Sequence, residues 1–194
     1  MKKFLVVTAL VSAALSTSVF AVGVGGESSG HGKVKFHGEI VAAPCSISAD
    51  TIDQTVEFGQ IANSALANGR SSIPKTFNIE LVDCVFPKDG EDKVFNDTVK
   101  ITFTGQSAKF NSKLLGVTGL DASNPSTAGN VGIQLSDNDG GAIDMSKWTS
   151  VERQLQEGNN TLTYSARVVG KDVPAEEIPL GEFNGVTNFT LAYN

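Results

Sequence analysis

The chain has 194 residues, 40% hydrophobic and 19% charged, with a formal net charge of −6. Lys2 and Lys3, the apolar stretch Phe4–Leu15 and the small-residue site "VFA" at Val19–Ala21 read as a secretory signal peptide cut after Ala21, leaving 13 basic and 21 acidic residues. Such acidity argues against nucleic acid or an anionic membrane as the main partner, and no remaining apolar run is long enough to insert in a membrane.

Residues 22–32, "VGVGGESSGHG", are rich in Gly and Ser, cannot bury a core, and are expected to be mobile in the isolated chain. The next stretch, "GKVKFHGEIVAAPC", alternates. Val34, Phe36, Gly38 and Ile40 fall on one face of an extended chain, and Lys33, Lys35, His37 and Glu39 on the other. The glycine is odd, because a strand interior gains no packing from it and loses more entropy there. Period-two alternation then recurs in "TVEFGQI" (Thr55–Ile61), "TFNIELVDC" with Phe77, Ile79 and Leu81, and "TVKITFTG" with Val99, Ile101 and Phe103. It continues in "GNVGIQLSD" with Val131, Ile133 and Leu135, and in "TLTYSARVV" with Leu162, Tyr164, Ala166 and Val168. The closing "NFTLAYN" places Phe189, Leu191 and Tyr193 on one face. Turn-rich segments such as "FPKDGEDK", "DASNPSTAGN" and "GKDVPAEEIP" separate these runs. A short helix is expected around Met145–Leu155.

The two cysteines, Cys45 and Cys84, sit in an exported chain and lack any CxxC spacing, so a single disulfide is expected. Closing a loop of that length stabilises by roughly 3–4 kcal/mol in the chain-entropy model. Six or seven amphipathic strands with one such staple point to an antiparallel β-sandwich of immunoglobulin-like type. Enzymatic chemistry finds little purchase. The two histidines, His31 and His37, lie in or beside the Gly/Ser leader, where no Ser-His-Asp arrangement can be placed on the sandwich. As zinc ligands they lack further partners at sensible spacing. "DNDGG" at Asp137–Gly141 departs from the calcium-loop pattern and reads as a β-turn. Trp148 beside Lys147 is read as core or rim rather than a sugar platform. No catalytic residue, metal or cofactor is expected.

Taken together, the export signal, "GKVKFHGEIVAAPCSI", "DQTVEFGQI" and "GEFNGVTNFTLAYN" resemble the structural subunits of chaperone–usher pili of the type 1 and P kind. That family carries a glycine fourteenth from the end and a penultimate tyrosine, and Gly181 and Tyr193 occupy those places. The resemblance implies an all-β, incomplete immunoglobulin-like β-sandwich missing its final strand, with an N-terminal donor-strand extension. The implied organisation is signal peptide 1–21, extension 22–40 and pilin domain 41–194. It implies that Gly32, Val34, Phe36, Gly38 and Ile40 form a donor strand that enters a neighbour's groove, with Gly38 in the slot where the groove is shallow. It also implies a C-terminal segment, Gly181, Phe189, Leu191, Tyr193 and Asn194, that meets the chaperone and then a donor strand. The chain stops at Asn194, so nothing in it is expected to cover that segment. Implied partners are a periplasmic pilus chaperone, an outer-membrane usher, minor pilins, and copies of the chain itself in a head-to-tail polymer on the bacterial surface. The alternative roles are a minor tip-fibrillum adaptor, or a pilin that itself binds a host receptor through loops such as Asn111–Asn130.

Overall fold

The computed structural model describes residues 32–88, 90, 94–120, 127, 129–147 and 150–194. The signal peptide, residues 22–31 of the leader with His31, and Trp148 lie outside the described residues. The chain divides between Ile40 and Val41 into two units. Over the described part of the first, residues 32–40, no strand forms and every residue is exposed. Val34 is 74%, Phe36 93% and Ile40 102% exposed.

Among the described residues of the second unit there are nine strands and three short helical turns. They are β1 (Ser46–Ile47), β2 (Lys75–Cys84), β3 (Thr98–Gly105), β4 (Leu115–Gly116) and β5 (Val131–Asp137), then β6 (Ala142–Ile143), β7 (Ser150–Gln154), β8 (Gly158–Gly170) and β9 (Thr187–Tyr193). One sheet runs β1-β2-β8-β5-β4, with β6 also pairing β5, and the other runs β7-β3-β9. All pairings between these strands are antiparallel. Alternation aims one face of each long strand inward. Ile79 and Leu81 of β2, Val99, Ile101 and Phe103 of β3, and Leu162, Tyr164 and Ala166 of β8 are buried in one cluster. A smaller cluster of Leu66, Val131, Val168 and Ile178 continues it under the loops. Phe103 is the aromatic hub between the sheets. Its ring meets Tyr164 edge-on at 5.0 Å and Phe77 at 6.3 Å, a geometry that satisfies the ring quadrupoles. "DNDGG" forms the turn between β5 and β6, where the Asp137 carboxylate accepts hydrogen bonds from the Asp139 and Gly141 amides.

Two expectations fail. The segment Met145–Leu155 is not helical: residues 145–147 form a turn, and Ser150–Gln154 is strand β7. The free edge of β3 supplies a complete ladder there, from Thr98↔Gln154 to Thr102↔Ser150, and Lys100 and Glu152 form a 3.6 Å ion pair across it. A ladder of that length overrides the weak local propensity of a polar run. Thr55–Ile61 is likewise not a strand. Val56 and Phe58 are half-buried while Thr55, Glu57 and Gly59 are exposed, so the alternation holds. What the segment lacks is a ladder partner.

Tyr164 offers a test of the core. Its hydroxyl is buried without a hydrogen-bond partner, and burial pushes its pKa from 10.0 up to about 12. The unfolded chain releases this proton near pH 10 and the folded chain holds it higher. The stability this group contributes is therefore complete below pH 10 and is lost as pH climbs through 12. Tyr164→Phe should equal or exceed the wild type by about 1 kcal/mol at neutral pH, since the substitution removes an unsatisfied buried group. Its advantage should widen in urea titrations above pH 10, and an advantage that narrows there would refute this account.

Candidate functional site

The second sheet has only three strands, and β9 pairs on one side alone. Its ladder with β3 runs from Val99↔Tyr193 to Gly105↔Thr187. Among the described residues no strand joins its other edge. Thr187, Phe189, Leu191 and Tyr193 point toward the core yet remain half-exposed, with the residues between them exposed. That is the pattern of a strand whose inner face is incompletely covered. Beside this edge lies a trough of about 1310 Å³. One rim is the ladderless segment Asp53–Ile61, and the other is Ile178–Phe189, the approach to β9 and its first residues. The floor draws on both sheets, with Phe103 from the second and Phe77, Ile133, Leu135 and Val168 from the first. Phe103 at 3% and Val168 at 0% exposure are nearly sealed while Phe77 is half-buried, so the accessible apolar surface comes from Phe77 and the rims. Leu180 and Val186 are among the exposed large hydrophobic residues of the chain. Phe58 and Phe183 face each other from opposite rims with ring centroids 6.0 Å apart.

An apolar trough beside an unpaired strand edge is a surface that stable monomers avoid, because it invites another chain to add a strand. Extended backbone suits it best, since β9 offers main-chain donors and acceptors, and Phe77 and the rims offer apolar contacts to alternate side chains.

The structure places the sequence-derived residues as follows. Cys45 and Cys84 are disulfide-bonded across a separation of 39 residues, both buried at the β1–β2 end of the first sheet. Phe189, Leu191 and Tyr193 are on the inward face of β9, and Phe189 lines the trough. Burial raises the Tyr193 phenol pKa. Asn194 extends the ladder by one residue, its amide donating to the Thr98 carbonyl at 3.0 Å and its carbonyl accepting from the Thr98 amide. Gly181 is not in β9. It sits ahead of that strand in the trough's rim, at φ +114°, a backbone region that only glycine enters without strain. Gly32, Val34, Phe36, Gly38 and Ile40 belong to the exposed extended segment. A Cβ added at Gly38 would meet nothing within 4 Å, and its φ is not positive, so no contact within the chain accounts for a glycine there. Of the two rims, Asp53–Ile61 is marked in the sequence by its alternation, whereas Leu180 and Phe183 of the other have no periodic pattern. The only available signal was their apolar character inside an otherwise polar loop.

The fold is thus an immunoglobulin-like sandwich short of a strand, with a trough beside the unpaired edge of β9. The chain belongs to the fimbrial protein family, whose model matches residues 34–194. It is 40% identical over 164 residues to the fimbria A protein of Serratia marcescens, covering 84% of this chain and 85% of that one. It is 32% identical over 195 residues to the Pap fimbrial major pilin protein of Escherichia coli, covering 96% and 99%. Among solved structures it is similar to a chaperone–usher pilus studied for rod uncoiling, with a TM-score of 0.66, 32% identity, and coverage of 86% and 97%.

Proposed function

We propose that this protein is the structural subunit of a surface fimbria, and that it polymerises head to tail by donating residues 32–40 to the trough of the next copy. The reading rests above all on one pairing within a single chain. A trough beside an unpaired β9 edge coexists with an exposed extended segment whose alternate residues are apolar. Val34, Phe36 and Ile40 each stabilise the joint by roughly 1.5–3 kcal/mol on burial. The backbone of the donor supplies the ladder that β9 lacks. Donation at one end and acceptance at the other, with no closing rotation, gives an open filament. The acceptor without a donor is an incomplete fold, so the joint opens only when the sandwich does, and dissociation is correspondingly slow. The similarity to a major pilin favours the rod over a minor adaptor. We assign no catalytic role to any residue.

In this reading the signal peptide directs export, with cleavage after Ala21. A periplasmic chaperone holds the trough until an outer-membrane usher exchanges it for the next subunit's donor. Negative-stain microscopy of cells with and without the chain tests the class. Fibres should disappear on deletion and return on complementation, and fibres that persist unchanged would exclude a rod subunit. A second expectation concerns the chaperone step. Tyr193 is the last inward group of β9, so Tyr193→Ser should lower co-purification of subunit with its chaperone about tenfold, equivalent to 1.4 kcal/mol of lost contact. Unchanged capture would remove Tyr193 from that interface.

A further inference from the structure

The trough carries charge of one sign. Asp53, Glu57 and Glu182 line it, and no lysine, arginine or histidine does. All three acids are exposed, and among the described residues no salt bridge engages them. Their placement follows from the rims. With Val56 and Phe58 turned inward, Glu57 is turned to the solvent side. Phe58 and Phe183 meet across the trough at 6.0 Å. Glu57 and Glu182 each immediately precede one of those rings, one acid on each rim. The donor segment has the opposite bias. Lys33 and Lys35 alternate with Val34 and Phe36, and Glu39 is the one acid between residues 32 and 40.

We propose that Lys33 and Lys35 of one copy engage the acidic rims of another through Asp53, Glu57 and Glu182, so that charge governs how fast and with which partner the joint forms. The proposal rests on the donor-strand reading above. With Val34 and Phe36 seated inward, both ammonium groups stand on the solvent face, where Glu57 also stands. A donor lying between the two rims brings these long side chains within the screening length of about 8 Å at physiological salt. Opposite charges at that range accelerate encounter and discriminate among partners, while buried apolar contacts set the lifetime of the complex. The need is real in a mature chain with 13 basic and 21 acidic residues, whose copies otherwise repel.

The test follows the growth of SDS-resistant polymer from mature full-length subunit released from its chaperone, in low and high sodium chloride. The wild type should slow about tenfold as salt rises. Lys33→Glu with Lys35→Glu should slow assembly about tenfold in low salt and reverse the salt dependence, because added salt then screens a repulsion. Adding Glu57→Lys with Glu182→Lys to the same chain should restore the rate. These four side chains are exposed, and unchanged thermal melting of each variant checks that folding is intact. A wild-type rate indifferent to salt, with no effect of either reversal, would overturn the steering proposal and leave strand donation standing. A folded wild type that forms no polymer at any salt would overturn both.

Discussion

A subunit carrying Gly38→Asn should accumulate in the periplasm at the wild-type level and be missing from fibres. The first half follows from the subunit's own structure. Position 38 is exposed, and a Cβ there meets no atom within 4 Å. Adding a side chain therefore costs the isolated fold nothing, and the trough that the chaperone would hold is untouched. The second half follows from the alternation. If Val34, Phe36 and Ile40 enter a neighbour's trough, position 38 points the same way, and the donor-strand proposal puts its glycine where the trough is shallow. Overpacking of that kind costs typically 1–3 kcal/mol for a methylene, and asparagine also buries an amide without an assured partner. Fibre yield, measured by immunoblot of material sheared from cells, should fall at least about tenfold. Glu39→Asn, one residue along on the solvent face, should leave it unchanged. Normal fibres from Gly38→Asn would mean that residues 32–40 are not the donor.

How far the sequence alone leads is set by what each residue needs in order to take its place. Strands β2, β3, β5, β8 and β9 were legible because one face of each is apolar, and burying that face requires period two. Strands β1, β4 and β6 were not, since two residues have no period to detect. Strand β7 was misread for a related reason. "SVERQ" is polar, and its conformation comes from the open edge of β3 rather than from its own side chains. Thr55–Ile61 errs in the opposite direction. Its alternation was legible and real, but a strand also needs a hydrogen-bonded neighbour, and in the subunit that place is the trough. The site shows the same division. Gly38 announced itself as a glycine on an apolar face. Phe183 and Leu180, by contrast, are set in a rim only by the course of the chain between Ile178 and β9, which no local pattern encodes.

The rim also gives the disulfide a role beyond general stability. Between Cys45 and Cys84 the chain runs through Asp53–Ile61 before entering β2, so the staple closes the loop that carries one wall of the trough. Few ladder bonds hold this part of the chain. Strand β1 contributes only Ser46↔Val82 and Ile47↔Leu81, and the stretch from Asp53 to Ile61 has no ladder. Replacing both cysteines, Cys45→Ala with Cys84→Ala, should destabilise the subunit by roughly 3–4 kcal/mol in the chain-entropy model. For a domain of this size each 1 kcal/mol lowers Tm by about 2–4 °C, so the expected drop is roughly 10 °C. Losing a large part of a margin of about 5–15 kcal/mol should also loosen the wall against which a donor strand closes. The variant's donor segment is intact, so mixing decides where the damage lies. Mutant subunits should still donate to wild-type troughs, and wild-type donors should enter mutant troughs slowly or not at all. A variant that melts within about 2 °C of the wild type, or that accepts donors at the wild-type rate, would show that the wall stands without the staple.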